Sequence, residues 1–279
     1  MRPLPSYALP LAMLVAAGGA AASLTGLLWD GLYALERPSL AAQAVGQDAV
    51  TLCFAVPLLI AASIAAARGS ARAQLASVGL LAYFVYTYFQ YTALTVYNSL
   101  FLLYVLTYSS ALILLITAIA AIDLGSLKEF FPSIPFRRSL GIFLTVAGAA
   151  LGMLWLGLIV PPLVTGTRPA LLEDQVSQSL VVQSMDLGLL IPAAVIGGGA
   201  LLRDRSIGYL LAAIVLTKIV TVGAAIIAMI IVMTLRGFPV PLEQVVLFSL
   251  LVALGVFFAT RFFLEMHPRA SERGWHLRA

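Results

Sequence analysis

The sequence predicts an all-α fold: a polytopic transmembrane helix bundle of about eight spans, arranged as two related four-helix halves. Three observations predict it. Hydrophobic residues make up 62% of the chain and charged residues only 10%, against roughly 25% charge in an ordinary soluble domain. Apolar runs long enough to cross ~30 Å of hydrocarbon recur along the whole chain, and they are continuous rather than alternating, which excludes a transmembrane barrel. A set of landmarks in the first half returns at matching spacing in the second.

The spans are predicted at 8–29, 49–67, 73–96, 99–122, 139–163, 180–202, 207–235 and 242–264. The first has the charged start and small residues of a signal peptide, but its apolar run continues to Trp29, which favours a retained helix. Positive charge sets the orientation. Arg2, Arg68, Arg72, Lys128, Arg137, Arg138, Arg203, Arg205, Arg261, Arg269, Arg273 and Arg278 fall on one side; only Arg37, Arg168 and Arg236 fall on the other. The richer side is expected to be cytoplasmic, with both termini there and the protein in a cell inner (plasma) membrane. The long loops 30–48 and 164–179 are then external, and Asp30, Glu36, Asp48, Glu173 and Asp174 make that surface acidic. Residues 123–138 read as a solvated, mixed-charge cytoplasmic loop, and the tail from Glu265 to Ala279 as a short segment at the membrane surface.

Residues 1–130 form the first predicted half and 131–279 the second. Pro57 lies eleven positions before Arg68, and Pro192 eleven before Arg203. Gln47-Asp48 corresponds to the stretch Gln183 to Asp186, and Arg37-Pro38-Ser39-Leu40 to Arg168-Pro169-Ala170-Leu171. A parallel internal repeat accounts for this pattern; chance recurrence of Pro and Arg is the alternative. Pro57 and Pro192 each remove a mid-helix hydrogen bond and are predicted to kink their helices. Such kinks flank a cavity or serve as packing devices.

Lys218 is the sharpest single feature. It lies about 15 Å deep, counted from Gly208 at ~1.5 Å per residue, where a charge costs roughly 2.5–3.5 kcal/mol to insert. It must face other helices and be paired or uncharged. It reads as a ligand anchor, ion-pair switch or proton carrier, or else as a salt bridge fixing helix register. Asp186 is its expected partner, with Gln183 on the same face; the alternative for Asp186 is a helix cap. Asp48, just before its apolar run, reads as a cap. The repeat sets Lys218 opposite Tyr83. Tyr83, Tyr86 and Gln90 share one face, Tyr104 and Tyr108 another, with Asn98 nearby; these line a hydroxyl-rich pocket or glue helices together. Polar side chains concentrate in the outer halves of the spans, which favours an external cavity with Lys218 at its floor over a continuous pore.

The single cysteine, Cys53, excludes a disulfide within the chain, and the only histidines, His267 and His276, lie in the tail. No cofactor, metal site or nucleic-acid surface is predicted. No catalytic motif or nucleophile–base set is visible, so an enzyme is not expected. The stretches Gly46-Gln47-Asp48, Arg68-Gly69-Ser70 and Asn98-Ser99-Leu100-Phe101-Leu102-Leu103-Tyr104 resemble those of uncharacterised bacterial multi-pass integral membrane proteins, a resemblance that implies a bacterial inner membrane and no particular chemistry. The leading expectation is a solute-binding transporter or receptor-like component, whose partners are the lipid bilayer and a small anionic or polar solute. A structural or accessory subunit, in a homo-oligomer or a membrane complex, is the second reading, and an intramembrane lipid-modifying enzyme the third.

Overall fold

In the computed structural model, which describes residues 2–131, 137–172 and 179–266, the chain is a bundle of eight long helices with no strand among the described residues. They are α1 (Ala8–Leu28), α2 (Pro38–Ala67), α3 (Ala71–Ala93), α4 (Phe101–Ala120), α5 (Arg137–Thr165), α6 (Val181–Leu202), α7 (Ser206–Leu235) and α8 (Leu242–Glu265). All but α3 are long and apolar enough to cross a membrane, and the protein is a multi-pass membrane protein. The exception has a physical reason. Helix α3 carries the tyrosines and is buried along most of its length by its neighbours, so little of it meets lipid and its side chains need not be apolar.

The eight predicted spans correspond to the eight helices, with one substantial difference. Helix α2 begins at Pro38 rather than near residue 49. Pro38 occupies the first turn, where its missing N–H costs nothing. The supposed external loop 30–48 is therefore a 3₁₀ turn, Asp30–Tyr33, followed by three turns of helix. Loop 123–138 also differs from its prediction. Lys128 and Glu129 are exposed, but Leu127, Phe130 and Phe131 are buried, and the Phe131 ring packs at 4.8 Å on both Tyr209 and Phe262. Those apolar side chains plug the arginine-rich face between α7 and α8. The tail beyond Met266, with both histidines, lies outside the described residues, as do Glu173 and Asp174.

Neither proline breaks its helix. Thr51–Ala55 in α2 and Asp186–Leu190 in α6 form wide i→i+5 turns, and Pro57 and Pro192 follow each at the same distance. A wide turn shifts the ladder by one residue, which accommodates a residue that cannot donate to its fourth predecessor. The two turns stand 135 positions apart (186 less 51), as do the two prolines and the starts of α3 and α7.

Helices α3 and α7 form the centre and pack on each other at Gly79, where an added Cβ would collide with the Thr217 side chain. The N-terminal part of α2 crosses to α7, so closely that a Cβ on Gly46 would stand 2.6 Å from the Met229 backbone; the start of α6 reaches α3 in return. Around this centre, α1 packs on both α2 and α4 and closes the first four helices into a ring. The second set is open. Helix α5 packs on α6 and α8 on α7, but α5 and α8 meet at the Phe143–Phe258 stack near the arginine-rich face and do not pack along their lengths.

Candidate functional site

Asp186 opens the wide turn of α6, six residues into the helix, so it is not a cap. It is 6% exposed. Its Oδ1 accepts a hydrogen bond from the Tyr86 hydroxyl at 2.9 Å, and its Oδ2 one from Trp155 Nε1–H at 3.1 Å. Lys218, equally buried, places Nζ 3.9 Å from Asp186 Oδ1 and 2.8 Å from the centre of the Tyr86 ring. Four helices thus converge here: Tyr86 from α3, Trp155 from α5, Asp186 from α6 and Lys218 from α7. An ammonium over a ring face is attracted by the ring quadrupole. Both carboxylate oxygens are satisfied, whereas Lys218 Nζ makes no hydrogen bond within 3.5 Å among the described residues and keeps donors free.

Those donors border a cavity of about 400 Å³ lined by Tyr86, Gln90, Trp155, Asp186 and Lys218, with Glu36 at its far end. The volume lies within the range of sites that hold small organic ligands. Its wall is mixed rather than hydroxyl-rich: Gln43, Gln47, Thr87 and Gln90 of α2 and α3 supply polar groups, and α5, α6 and α8 supply aliphatic ones. Glu36 stands outside the spans, half-buried, and accepts the Val96 backbone N–H at 2.6 Å. Burial pushes its carboxyl up from the ordinary value, and that hydrogen bond pulls partly the other way.

The structure divides the predicted set. Lys218, Asp186, Tyr86 and Gln90 come together. Gln183 is buried beside them but does not line the cavity. Tyr83 accepts a hydrogen bond from Gln47 Nε2 at 2.6 Å and pairs with Thr51 Oγ1 at 2.7 Å, sealed inside the first four helices. Tyr104 stacks on Tyr91 at 5.0 Å, and Tyr108 packs on Phe89 at 5.6 Å. Asn98 Oδ1 accepts the Leu100 N–H and shapes the turn before α4. These last four do not line the cavity; they hold the bundle together. Trp155 is the member that sequence reasoning missed, because a tryptophan within an apolar span looks like any other membrane aromatic.

Asp48 forms a second, separate cluster. It sits eleven residues into α2, 1% exposed, and accepts hydrogen bonds from Tyr33 at 2.6 Å and Tyr91 at 2.9 Å. The capping role expected for it is thus corrected: its hydrogen bonds tie the 3₁₀ turn Asp30–Tyr33 to α2 and α3. Burial and the adjacent carboxylate push the Tyr33 hydroxyl far above the ordinary phenol range. Gly26 admits this arrangement, since a Cβ there would collide with the Asp48 carboxylate.

In the 135-residue register, Thr51 corresponds to Asp186 and Tyr83 to Lys218. The first half therefore holds a hydrogen-bonded hydroxyl pair where the second holds a charged pair. No family model, curated protein or solved structure matches the chain.

Proposed function

We propose that this protein is a non-enzymatic solute-binding membrane component, a transporter or receptor-like subunit, whose binding site is the cavity floored by Asp186 and Lys218. The observation that carries this reading is the open space beside a buried ammonium that retains unused donors. An accessory subunit held together by a Lys218 strut would instead fill the space around that side chain. A hydrolase or transferase needs a nucleophile, a base and an orienting group in mutual reach; the cavity offers a carboxylate already occupied by two donors.

The repeat and the orientation belong to the same proposal. Two wide turns, two prolines and two helix starts at one spacing support duplication of a four-helix unit, followed by divergence of the Thr51–Tyr83 and Asp186–Lys218 pairs. The arginine distribution supports cytoplasmic termini, which makes the Glu36 end of the cavity external. The resemblance to bacterial multi-pass proteins supports an inner-membrane location.

The test is a small-molecule screen by thermal shift on purified protein, since a ligand that binds only the folded state raises the unfolding midpoint. A hit expected for this site loses its stabilising effect in Lys218→Met while that variant still unfolds cooperatively. Hits whose effect is the same in wild type and Lys218→Met would overturn the assignment.

A further inference from the structure

The shape and wall chemistry of the cavity say more about its occupant. In the first half, α1 and α4 close the ring of helices. In the second half α5 and α8 share the Phe143–Phe258 stack but, among the described residues, no run of close backbone packing. Beyond that stack, Ala147, Leu151 and Leu154 of α5 line the same cavity as Phe248, Leu251 and Val252 of α8. Entry between these two helices, the jaws of the cavity, would be lateral, past outer surfaces that are apolar: Met153 is 69% exposed and Leu250 58%. An entry so placed faces acyl chains.

The cavity is also two-sided. Its jaws are aliphatic, and its inner wall carries Gln43, Gln47, Thr87 and Gln90 together with the Lys218 ammonium. Among the described residues the charges lining it are Glu36, Asp186 and Lys218, so Lys218 is already matched by Asp186 at 3.9 Å and no second described cation lines the cavity for an anionic ligand. A carboxylate or phosphate would meet net negative surroundings. An uncharged head that accepts hydrogen bonds would meet free lysine donors and side-chain amides.

We propose that the cavity takes a lipid-soluble amphiphile with an uncharged, hydrogen-bond-accepting head, entering from the bilayer between α5 and α8. Its carbonyl or hydroxyl oxygen accepts from Lys218, and its apolar body lies between the jaws. This rests on the solute-binding reading above and names the class of solute.

The protein supplies its own reporter. Trp155 lines the cavity, and the chain has three tryptophans, so Trp29→Phe with Trp275→Phe leaves it alone. The full-length chain in detergent is titrated with mono(dibromostearoyl)glycerol, whose bromines quench a nearby indole. The expected result is saturable quenching whose midpoint rises about tenfold or more in Lys218→Met, the order expected for loss of a hydrogen bond to a charged donor. Ala147→Phe, which narrows the space between the jaws without touching the polar end, weakens quenching similarly while the thermal midpoint shows the variant folded. Dibromostearyl sulfate at pH 7, with a comparable chain and a permanently anionic head, binds at least tenfold more weakly. Quenching that never saturates, or that both variants leave unchanged, is partition into the micelle and overturns the proposal. Tighter binding of the anion overturns the assignment of the head. If a water-soluble solute stabilises the protein through Lys218 while the monoglyceride leaves Trp155 unquenched, the amphiphile inference falls and the pocket stands. If neither binds, both fall.

Discussion

The Asp186–Lys218 pair can be weighed by a double-mutant cycle. Two unit charges 3.9 Å apart attract by about 4 kcal/mol at an effective dielectric of ~20. Adjacent open space hydrates the pair and lowers that figure, so the expected coupling is about 2 kcal/mol. Each single change leaves the other charge buried without its counter-charge, which typically costs 3–5 kcal/mol. Asp186 keeps donors from Tyr86 and Trp155 in Lys218→Met, so the cost there is expected near the lower end, about 3 kcal/mol. Asp186→Asn strips Lys218 of its only carboxylate within 4.0 Å among the described residues, and a similar loss is expected. The double variant Asp186→Asn/Lys218→Met is then about 2 kcal/mol more stable than the sum of the two single losses. Equilibrium unfolding in mixed micelles of increasing dodecyl sulfate fraction reads these differences. Additivity within about 0.5 kcal/mol, the value for independent sites, would refute the claim that these charges act as a pair.

Other consequences are simpler to test. Gly46→Ala pushes α2 off the Met229 backbone and is expected to cost about 1–3 kcal/mol as overpacking, whereas Gly157→Ala, whose Cβ meets nothing within 4 Å, is expected to be neutral; equal effects on the unfolding midpoint would contradict the close α2–α7 crossing. The carboxyl of Glu36 is raised above its ordinary value of 4.5 by burial, so the folded state holds that proton more tightly than the unfolded chain. Its contribution is fully present below pH 4.5 and fades as pH rises through the folded value. Glu36→Gln is therefore expected to raise the midpoint at pH 7 relative to wild type and to flatten the pH profile between 4 and 8; parallel profiles would refute this. In a Cys53→Ser background, Gly69→Cys and Ser99→Cys should react with a membrane-impermeant maleimide from opposite sides of the membrane, Ser99→Cys from outside in intact cells; the reverse pattern would invert the proposed orientation.

Much of the architecture is legible in the chain because lipid imposes a harsh length rule, and a run such as Leu211 to Met233 has no other use. Lys218 and Asp186 stand out for the same reason: a charge in hydrocarbon must find company. The start of α2 is hidden because Ala41 to Gly46 is too bland for a hydropathy criterion, and it is helical through its packing on α7. The role of Asp48 is hidden with it, since its burial depends on Tyr33 and Tyr91 arriving from other segments. The tyrosines show the other limit. In a bundle surrounded by lipid both faces of a helix are apolar, so periodicity does not reveal that Tyr86 turns to the cavity while Tyr83 turns to Thr51. The separation of α5 from α8 beyond the Phe143–Phe258 stack leaves no local trace either, since it depends on how two helices distant in sequence pack.

The wide turn at Asp186–Leu190 has a consequence for how this segment tolerates changes in length. A wide turn holds one residue more than an ordinary one, so excising one apolar residue there closes the hydrogen bonds to i→i+4 and returns Pro192 to a plain helical ladder. The extra residue is absorbed within the turn, so its loss leaves Asp186 close to the side of the helix that meets Tyr86 and Trp155, whereas the same excision elsewhere in α6 turns everything upstream by about 100°. Of all places in α6, the stretch around Leu189 is where a one-residue deletion disturbs the facing of Asp186 least, and its cost falls on the gap that Pro192 occupies.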